Sequence, residues 1–286
     1  MSFCSREEGR LLHHVRMKFL LLAGMLALVA PQDSFREITR TQEMSDWGRG
    51  ALDIESKKWK HGETEHFIIH YFRNGEKVAR RSEAMYAEIW EFFGHRADLM
   101  PGHKSQVFAF HEIDDWKKFR DLTGLEWIAG VTRGDEFFYM SASEEGRFDS
   151  KGKVQAHEMT HLIFNRFFHG HPPLWLNEGI AEYFGQRKTA GIGEFRRQMG
   201  FATPVPLDKL FEAQAYPKSE ADIQAFYAEA AIIVDFLTRT QERAKLLPVF
   251  VESMIEHNDA ASALKMYGYR DVADFEKAYA RYRKHF

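Results

Sequence analysis

The chain has 286 residues, of which 44% are hydrophobic and 14% aromatic, a composition that fits a globular fold with an ample core. Its 39 basic and 42 acidic residues nearly cancel, and the basic ones are scattered along the sequence. We therefore expect no nucleic acid as the main partner, because nucleic-acid-binding proteins usually carry a basic patch.

The N-terminus carries the pattern of an export signal. Met17 and Lys18 precede a run of twelve mostly apolar residues, 19–30, that ends in small side chains. A basic start before an apolar run of this length is typical of a signal peptide, and the run is short for a membrane span. We expect residues 1–30 to be a signal peptide region, with Met17 as the translation start, and the mature protein to be periplasmic or secreted without a stable membrane span. The alternative is an uncleaved signal anchor that tethers the protein to a membrane.

The sequence contains one cysteine, Cys4, which lies inside the expected signal peptide region. The mature chain would then have no thiol. This excludes an internal disulfide, cysteine ligation of a metal and a cysteine nucleophile from the mature protein.

Behind a polar segment at 31–60, the sequence alternates between strand and helix patterns. Runs rich in aromatic and β-branched residues predict strands, and apolar residues at helical spacing predict helices. We expect three strands, at 65–72, 106–111 and 136–141, a helix at 76–93 that ends at Gly94, and a short helix at 116–122 that ends at Gly124. The predicted strands contain His66, His70 and His111. Isolated strand histidines are more often core or surface residues than metal ligands.

A helix predicted at 152–168 contains a His-Glu-x-x-His motif. On a helix, His157 and His161 lie one turn apart on one face, which is the spacing that a tetrahedral zinc ion needs for two nitrogen ligands. Glu158 points to the same side, close enough to the open coordination position to take a proton from bound water. The motif therefore predicts the Zn²⁺ site of a hydrolase.

A second helix, predicted from Leu174, offers a third ligand. Glu178 and Glu182 lie on one face of it, so one carboxylate can bind the metal while the other accepts the remaining N–H of a ligating histidine. The neighbours of this pair are mostly apolar, which predicts a buried helix, and buried carboxylates need a cation or hydrogen-bond donors. We expect Glu178 to be the ligand. His169 and His171, in the Gly/Pro loop between the two helices, are the alternatives.

The motifs at 157–161 and 177–182 together resemble those of the gluzincin metallopeptidases, especially of their small peptidase-MA-like members, and the resemblance covers residues 61–286. It implies an α+β, zincin-like fold in which a small mixed sheet packs on the HExxH helix, with a mainly helical C-terminal subdomain from residue 205 onward. In such a fold the last strand before the helix, 136–141, commonly forms the sheet edge along which an extended peptide adds. The Gly-x-Met-Glu-Asn motif that captures a free amine in aminopeptidases is absent from the sequence.

The resemblance also implies roles for individual residues. Glu158 would act as general base and acid. The zinc ligands would be His157, His161 and Glu178. The outer partners that hold these ligands in place would be Glu182 and Asn177.

Tyr227 is the one tyrosine in a strongly apolar helix predicted at 222–239. By the same resemblance it would stabilise the oxyanion of the tetrahedral intermediate. The other interpretation is a core tyrosine whose hydroxyl bonds to the backbone. Further helices are predicted at 242–256, with a kink at Pro248, and at 271–285.

The leading hypothesis is an exported zinc metallopeptidase that hydrolyses peptide bonds in a peptide or protein substrate with a zinc-bound water activated by Glu158. A zincin-fold metal-binding or scaffold protein without turnover is the alternative. Glu158 favours catalysis, since a structural zinc site needs no base and usually closes its fourth position with a protein ligand. Hydrolysis of a non-peptide amide would use the same residues.

Overall fold

Six strands form one mixed sheet in the computed structural model, which describes residues 35–94, 96–125, 129–141 and 151–286. The expected signal peptide region, 1–30, lies outside these ranges. The strands are β1 (Arg36–Ile38), β2 (Lys60–Glu63), β3 (Phe67–Tyr71), β4 (Ser105–Phe110), β5 (Gly130–Arg133) and β6 (Glu136–Met140). Across the sheet their order is β1-β2-β3-β4-β6-β5. Strands β3, β4 and β6 are parallel, and the other neighbouring pairs are antiparallel.

Most of the remaining described chain is helical. The α-helices are α1 (Asp46–Asp53), α2 (Gly75–Phe92), α3 (Ile113–Thr123), α4 (Lys153–Phe167), α5 (Leu174–Glu182), α6 (Ile192–Met199), α7 (Leu207–Phe211), α8 (Glu220–Leu237), α9 (Gln241–Ala244), α10 (Leu247–His257), α11 (Ala260–Ala263) and α12 (Val272–Arg283). A π-helix, Tyr183–Lys188, continues α5, and a 3₁₀ turn, Leu264–Tyr267, follows α11. Within the described ranges, no helix has both the length and the apolar character of a membrane span.

Helices cover both faces of the sheet. Successive strand residues point to opposite faces. Val107 and Phe137 therefore pack into the core that includes α2, α4, α5 and α8, whereas Phe108 and Phe138 pack on the side of α1 and α3. Every residue of β3, β4 and β6 is buried, as expected of strands covered on both faces. The mixed helix-and-sheet architecture agrees with the predicted α+β class.

The three predicted strands are confirmed as β3, β4 and β6, but the expected sheet edge is wrong. Strand β6 lies inside the sheet, and the edge beside it is β5. The chain turns back between Arg133 and Glu136, with Gly134 at a φ of 62°. The missed strand β5 is four residues long and partly exposed, so its sequence lacks the apolar pattern that identified the other strands.

The polar segment at 31–60 contains β1, α1 and the start of β2, which the sequence pattern did not indicate. Ser45 explains why this segment belongs to the fold. Its hydroxyl accepts from the backbone N–H of Gly48 and caps α1, and its own backbone N–H donates to the Glu136 carboxylate over 2.6 Å. This contact joins the start of α1 to β6.

The predicted helices at 222–239 and 271–285 are confirmed as α8 and α12, but the single helix at 242–256 is wrong. Two helices, α9 and α10, occupy that stretch, and Pro248 lies in the first turn of α10 instead of kinking a longer helix. A proline fits there because the first backbone N–H groups of a helix have no partner within it. The helices beyond residue 205 belong to the same compact unit as the other described residues and share a core with α4 and α5.

Candidate metal centre

Helix α4 presents the two histidines of the HExxH motif side by side. His157 and His161 are one turn apart, and their Nε2 atoms lie 3.1 Å from each other. Both side chains are largely buried, with 17% and 16% of their surface exposed. Helix α4 is buried along most of its length between the sheet, α2 and α5, so the position of this face is fixed by packing on several sides.

Helix α5 brings Glu178 to the same point. Its Oε2 atom lies 3.4 Å from Nε2 of His157 and 3.6 Å from Nε2 of His161. A zinc ion bound tetrahedrally at about 2.0–2.1 Å holds its ligand atoms about 3.3 Å apart. Glu178 Oε2 is buried and has no hydrogen-bond donor among the described residues. The three side chains therefore form a group that could hold a metal ion.

Two further residues orient the imidazoles. Nδ1 of His157 lies 3.2 Å from the carboxylate of Glu182, and Nδ1 of His161 lies 3.1 Å from the amide oxygen of Asn177. An acceptor at each Nδ1 favours the tautomer that carries its proton there and leaves the Nε2 lone pair for a metal. Glu182 and Asn177 thus each lie next to the Nδ1 atom of one of the two histidines.

The charges of the site favour a cation at its centre. Burial tends to lower the pKa of His157, but the nearby carboxylates of Glu178 and Glu182 outweigh burial and raise that pKa well above the usual value. Burial tends to raise the pKa of the Glu178 carboxyl, but His161 and His157 lower it well below its usual range. A proton and a metal ion compete for such nitrogen atoms.

Glu158 lies in the same cleft but does not join the three-residue group. It is 5% exposed, and burial raises the pKa of its carboxyl. The hydroxyl of Thr132, on β5, lies 2.7 Å from Oε2 of Glu158 and donates to it. Gly130 leaves room for this carboxylate, since a Cβ atom at that position would lie 2.8 Å from its Oε1. A carboxylate held in this way beside a metal site suits proton transfer.

A cleft of about 700 Å³ opens over these residues. Strand β5 lines one side of it, and Leu125 and Ile223 add apolar surface. Apart from Glu158, Glu178 and the histidines, the described residues that line the cleft are uncharged. The described lining of the cleft away from the candidate metal site is therefore largely neutral.

Tyr227, on α8, lines the cleft, with its ring centre 6.3 Å from that of His157. A second tyrosine was missed by the sequence analysis: the hydroxyl of Tyr216 donates to Oε1 of Glu178 over 2.6 Å. Burial raises the pKa of both phenols, so both keep their protons at neutral pH. Tyr216 lies in the polar loop between α7 and α8, where no periodic pattern marks it.

The remaining candidate histidines are not in the metal-binding group found among the described residues. His169 and His171 are exposed in the loop after α4, although His171 lines the cleft. On the strand side, His66 bonds to a glutamate and His70 to Gln106 and a histidine, while His111 contacts a serine. The structure thus places the strand histidines with protein partners.

No family model and no curated protein matches the sequence. The geometry of the site therefore carries the functional interpretation.

Proposed function

We propose that the protein is an exported zinc-dependent metallopeptidase with a zincin-like fold. The proposal rests on the buried, unpartnered Oε2 atom of Glu178 and its position at tetrahedral spacing from two imidazole nitrogens. Two imidazoles and a carboxylate suit zinc better than magnesium or calcium, which prefer oxygen ligands alone. His157, His161 and Glu178 would hold the ion.

When bound, a zinc ion makes water more acidic and polarises the carbonyl of the scissile bond. Glu158 takes the proton of the attacking water and then passes it to the leaving nitrogen, so its carboxylate serves as base and afterwards as acid. Tyr227 keeps its phenol proton at neutral pH and donates a hydrogen bond to the oxyanion. Glu182 and Asn177 keep the two imidazoles in the orientation that binding requires.

Strand β5 gives an extended peptide a place to bind. Among the described strands it pairs with β6 alone, and its residues Gly130 to Thr132 line the cleft. The free edge of a strand offers unpaired backbone N–H and C=O groups to another chain. A peptide that adds along β5 would pass directly over Glu158, since Thr132 contacts that residue. Export is proposed from the sequence of residues 17–30 alone.

A metal-binding or scaffold protein without turnover remains the second candidate, because a fold does not determine whether its site is active. Among the described residues the metal-binding group offers three possible protein ligands, whereas structural zinc sites usually have four. Hydrolysis of a non-peptide amide is a third candidate function, because its chemistry is the same as that of peptide-bond hydrolysis.

The variant Glu158→Gln tests catalysis directly. We expect it to keep the fold and bind zinc as wild type does, but to lose about 10²- to 10⁴-fold in the rate of peptide cleavage, because the proton acceptor is gone. A diverse peptide library, digested by both proteins and analysed by mass spectrometry, measures the rate and also identifies the preferred residues.

Glu256→Gln is the matched control, since Glu256 is an exposed glutamate beside a histidine on α10. It should cleave the library as wild type does. If wild type carries zinc but cleaves no peptide in the library, the proposed peptidase is contradicted and the non-catalytic metal-binding protein takes its place.

A further inference from the structure

The two oxygen atoms of the Glu178 carboxylate have different surroundings. Oε2 faces the Nε2 atoms of His157 and His161 and has no hydrogen-bond donor. Oε1 accepts a 2.6 Å hydrogen bond from the hydroxyl of Tyr216. One oxygen is thus directed at the metal-binding position, and the other is already bonded.

Tyr216 reaches this carboxylate from the loop between α7 and α8. Its side chain lies partly at the surface, with 49% of the residue exposed, yet it lines the same cleft as the two histidines. Its hydroxyl also interacts with that of Tyr227, and the two rings lie 6.1 Å apart. The hydrogen bond to Glu178 is therefore made from a wall of the cleft that the two phenols share.

The surroundings of Glu178 decide how many coordination positions it fills. A carboxylate can bind a metal through one oxygen or through both. A phenol O–H that donates to a carboxylate forms a strong, charge-assisted hydrogen bond and holds that oxygen in place. With two imidazoles and one carboxylate oxygen as ligands, a catalytic zinc site keeps its fourth position open. If both oxygens bound, the carboxylate would compete for the space that water and substrate need.

We propose that Tyr216 is a positioning residue that keeps Glu178 a one-oxygen ligand through Oε2 and so leaves the fourth coordination position open. This inference rests on the proposed metal site but not on the nature of the substrate. Tyr216 acts through Glu178 and does not touch the reacting atoms. Removal of the Tyr216 hydroxyl therefore changes the coordination of the metal ion. The loss of a purely structural contact would leave that coordination unchanged.

The test uses full-length protein loaded with Co²⁺, whose visible absorption weakens as its coordination number rises above four. In Tyr216→Phe, Oε1 of Glu178 is free to bind. We expect weaker cobalt absorption and, in the zinc-loaded protein, one additional oxygen neighbour by X-ray absorption spectroscopy. Metal affinity should be kept or increased, while peptide cleavage falls about 10- to 100-fold, as is usual when a residue that holds a metal ligand is lost.

The matched control is Tyr267→Phe. The hydroxyl of Tyr267 is buried without a hydrogen-bond partner, and its ring packs against Phe250 in the core. This variant should keep the wild-type cobalt spectrum. A second variant, Tyr216→Leu, also lacks the hydroxyl and should show the same change as Tyr216→Phe, which separates the hydrogen bond from the packing of the ring.

A wild-type cobalt spectrum in both Tyr216 variants would overturn the inference. If wild type binds cobalt but cleaves no peptide, the proposed peptidase fails, while the spectra still decide the role of Tyr216. If wild type binds no metal, both proposals fall.

Discussion

Glu158 is the residue on which the proposed chemistry depends most, and the edge strand holds it. Thr132 donates to its carboxylate, and Gly130 leaves the space that the carboxylate occupies. Neither contact follows from the sequence, because β5 carries no strand pattern and lies far from the motif along the chain. A base held by one hydrogen bond and by close packing has few other positions available, which suits proton transfer over a short distance.

The variant Thr132→Val tests this arrangement by replacing the hydroxyl with a methyl group of similar size. Without its donor, the Glu158 carboxylate loses one constraint on its position. We expect kcat to fall about 10- to 100-fold, since a small displacement of a reacting group has a large effect on rate. KM and zinc affinity should change little, and Thr132→Ser should restore most of the loss. Steady-state kinetics of wild type and both variants measure these effects. A kcat of Thr132→Val equal to that of wild type would show that Thr132 has no part in positioning the base.

Individual site residues differ in how far the sequence reveals them. The spacing of His157 and His161 is local, so a helix brings them together wherever it lies in the fold. The positions of Glu178 and Asn177 relative to these histidines depend on how α5 packs on α4, which local spacing alone does not determine. Tyr216 lies on a loop whose path depends on the whole helical region. Nothing in its neighbouring residues distinguishes it from a surface tyrosine.

At the scale of elements, the packing of α5 against α8 holds the proposed third ligand in place. Gly179 follows Glu178 directly, and a Cβ atom at Gly179 would lie 2.7 Å from the backbone oxygen of Ala230 on α8. The two helices approach so closely there that a side chain would force them apart. Because the neighbouring atom belongs to the backbone, it cannot move aside as the end of a side chain could.

We therefore expect Gly179→Ala to lower the free energy of unfolding by about 1–3 kcal/mol, as overpacking in a core does. The displacement of α5 should weaken zinc binding at the same time. The control is Gly193→Ala on α6, where an added Cβ atom meets no atom within 4 Å. It should raise the free energy of unfolding by a few tenths to about 1 kcal/mol, because alanine favours helix over glycine. Urea unfolding of both variants measures the difference, and equal stabilities would contradict the close packing of α5 on α8.

The strands that the sequence pattern identifies are more buried than the strands that it misses. Strands β3, β4 and β6 are buried throughout, and their apolar runs identify them. Strands β1, β2 and β5 are shorter and more polar, and they take their structure from the partners beside them. For the same reason the order of strands could not be read along the chain, and β6 was expected at the edge that β5 occupies.

On the scale of the whole molecule, the sheet and the C-terminal helices meet around α4 and α5. Side chains from β4, α8 and α12 pack into the same core as Leu162 and Leu176, which lie beside the proposed ligands. The two ligand-bearing helices are therefore fixed by contacts from most of the described chain. A site held in this way is organised before a metal binds, so that little conformational entropy is lost on binding.

Competition for zinc between the protein and a chelator of known affinity tests the proposed metal site most directly. Wild type should bind about one zinc ion per chain. Glu178→Ala should bind it markedly more weakly, because a ligand is lost, and Glu182→Ala should lose about 10- to 100-fold in affinity, as an outer partner does. Folded wild type that takes up no zinc would contradict the metal site altogether. If Glu178→Ala bound zinc as tightly as wild type, Glu178 would not be the third ligand, and His169 and His171 would be the residues to replace next.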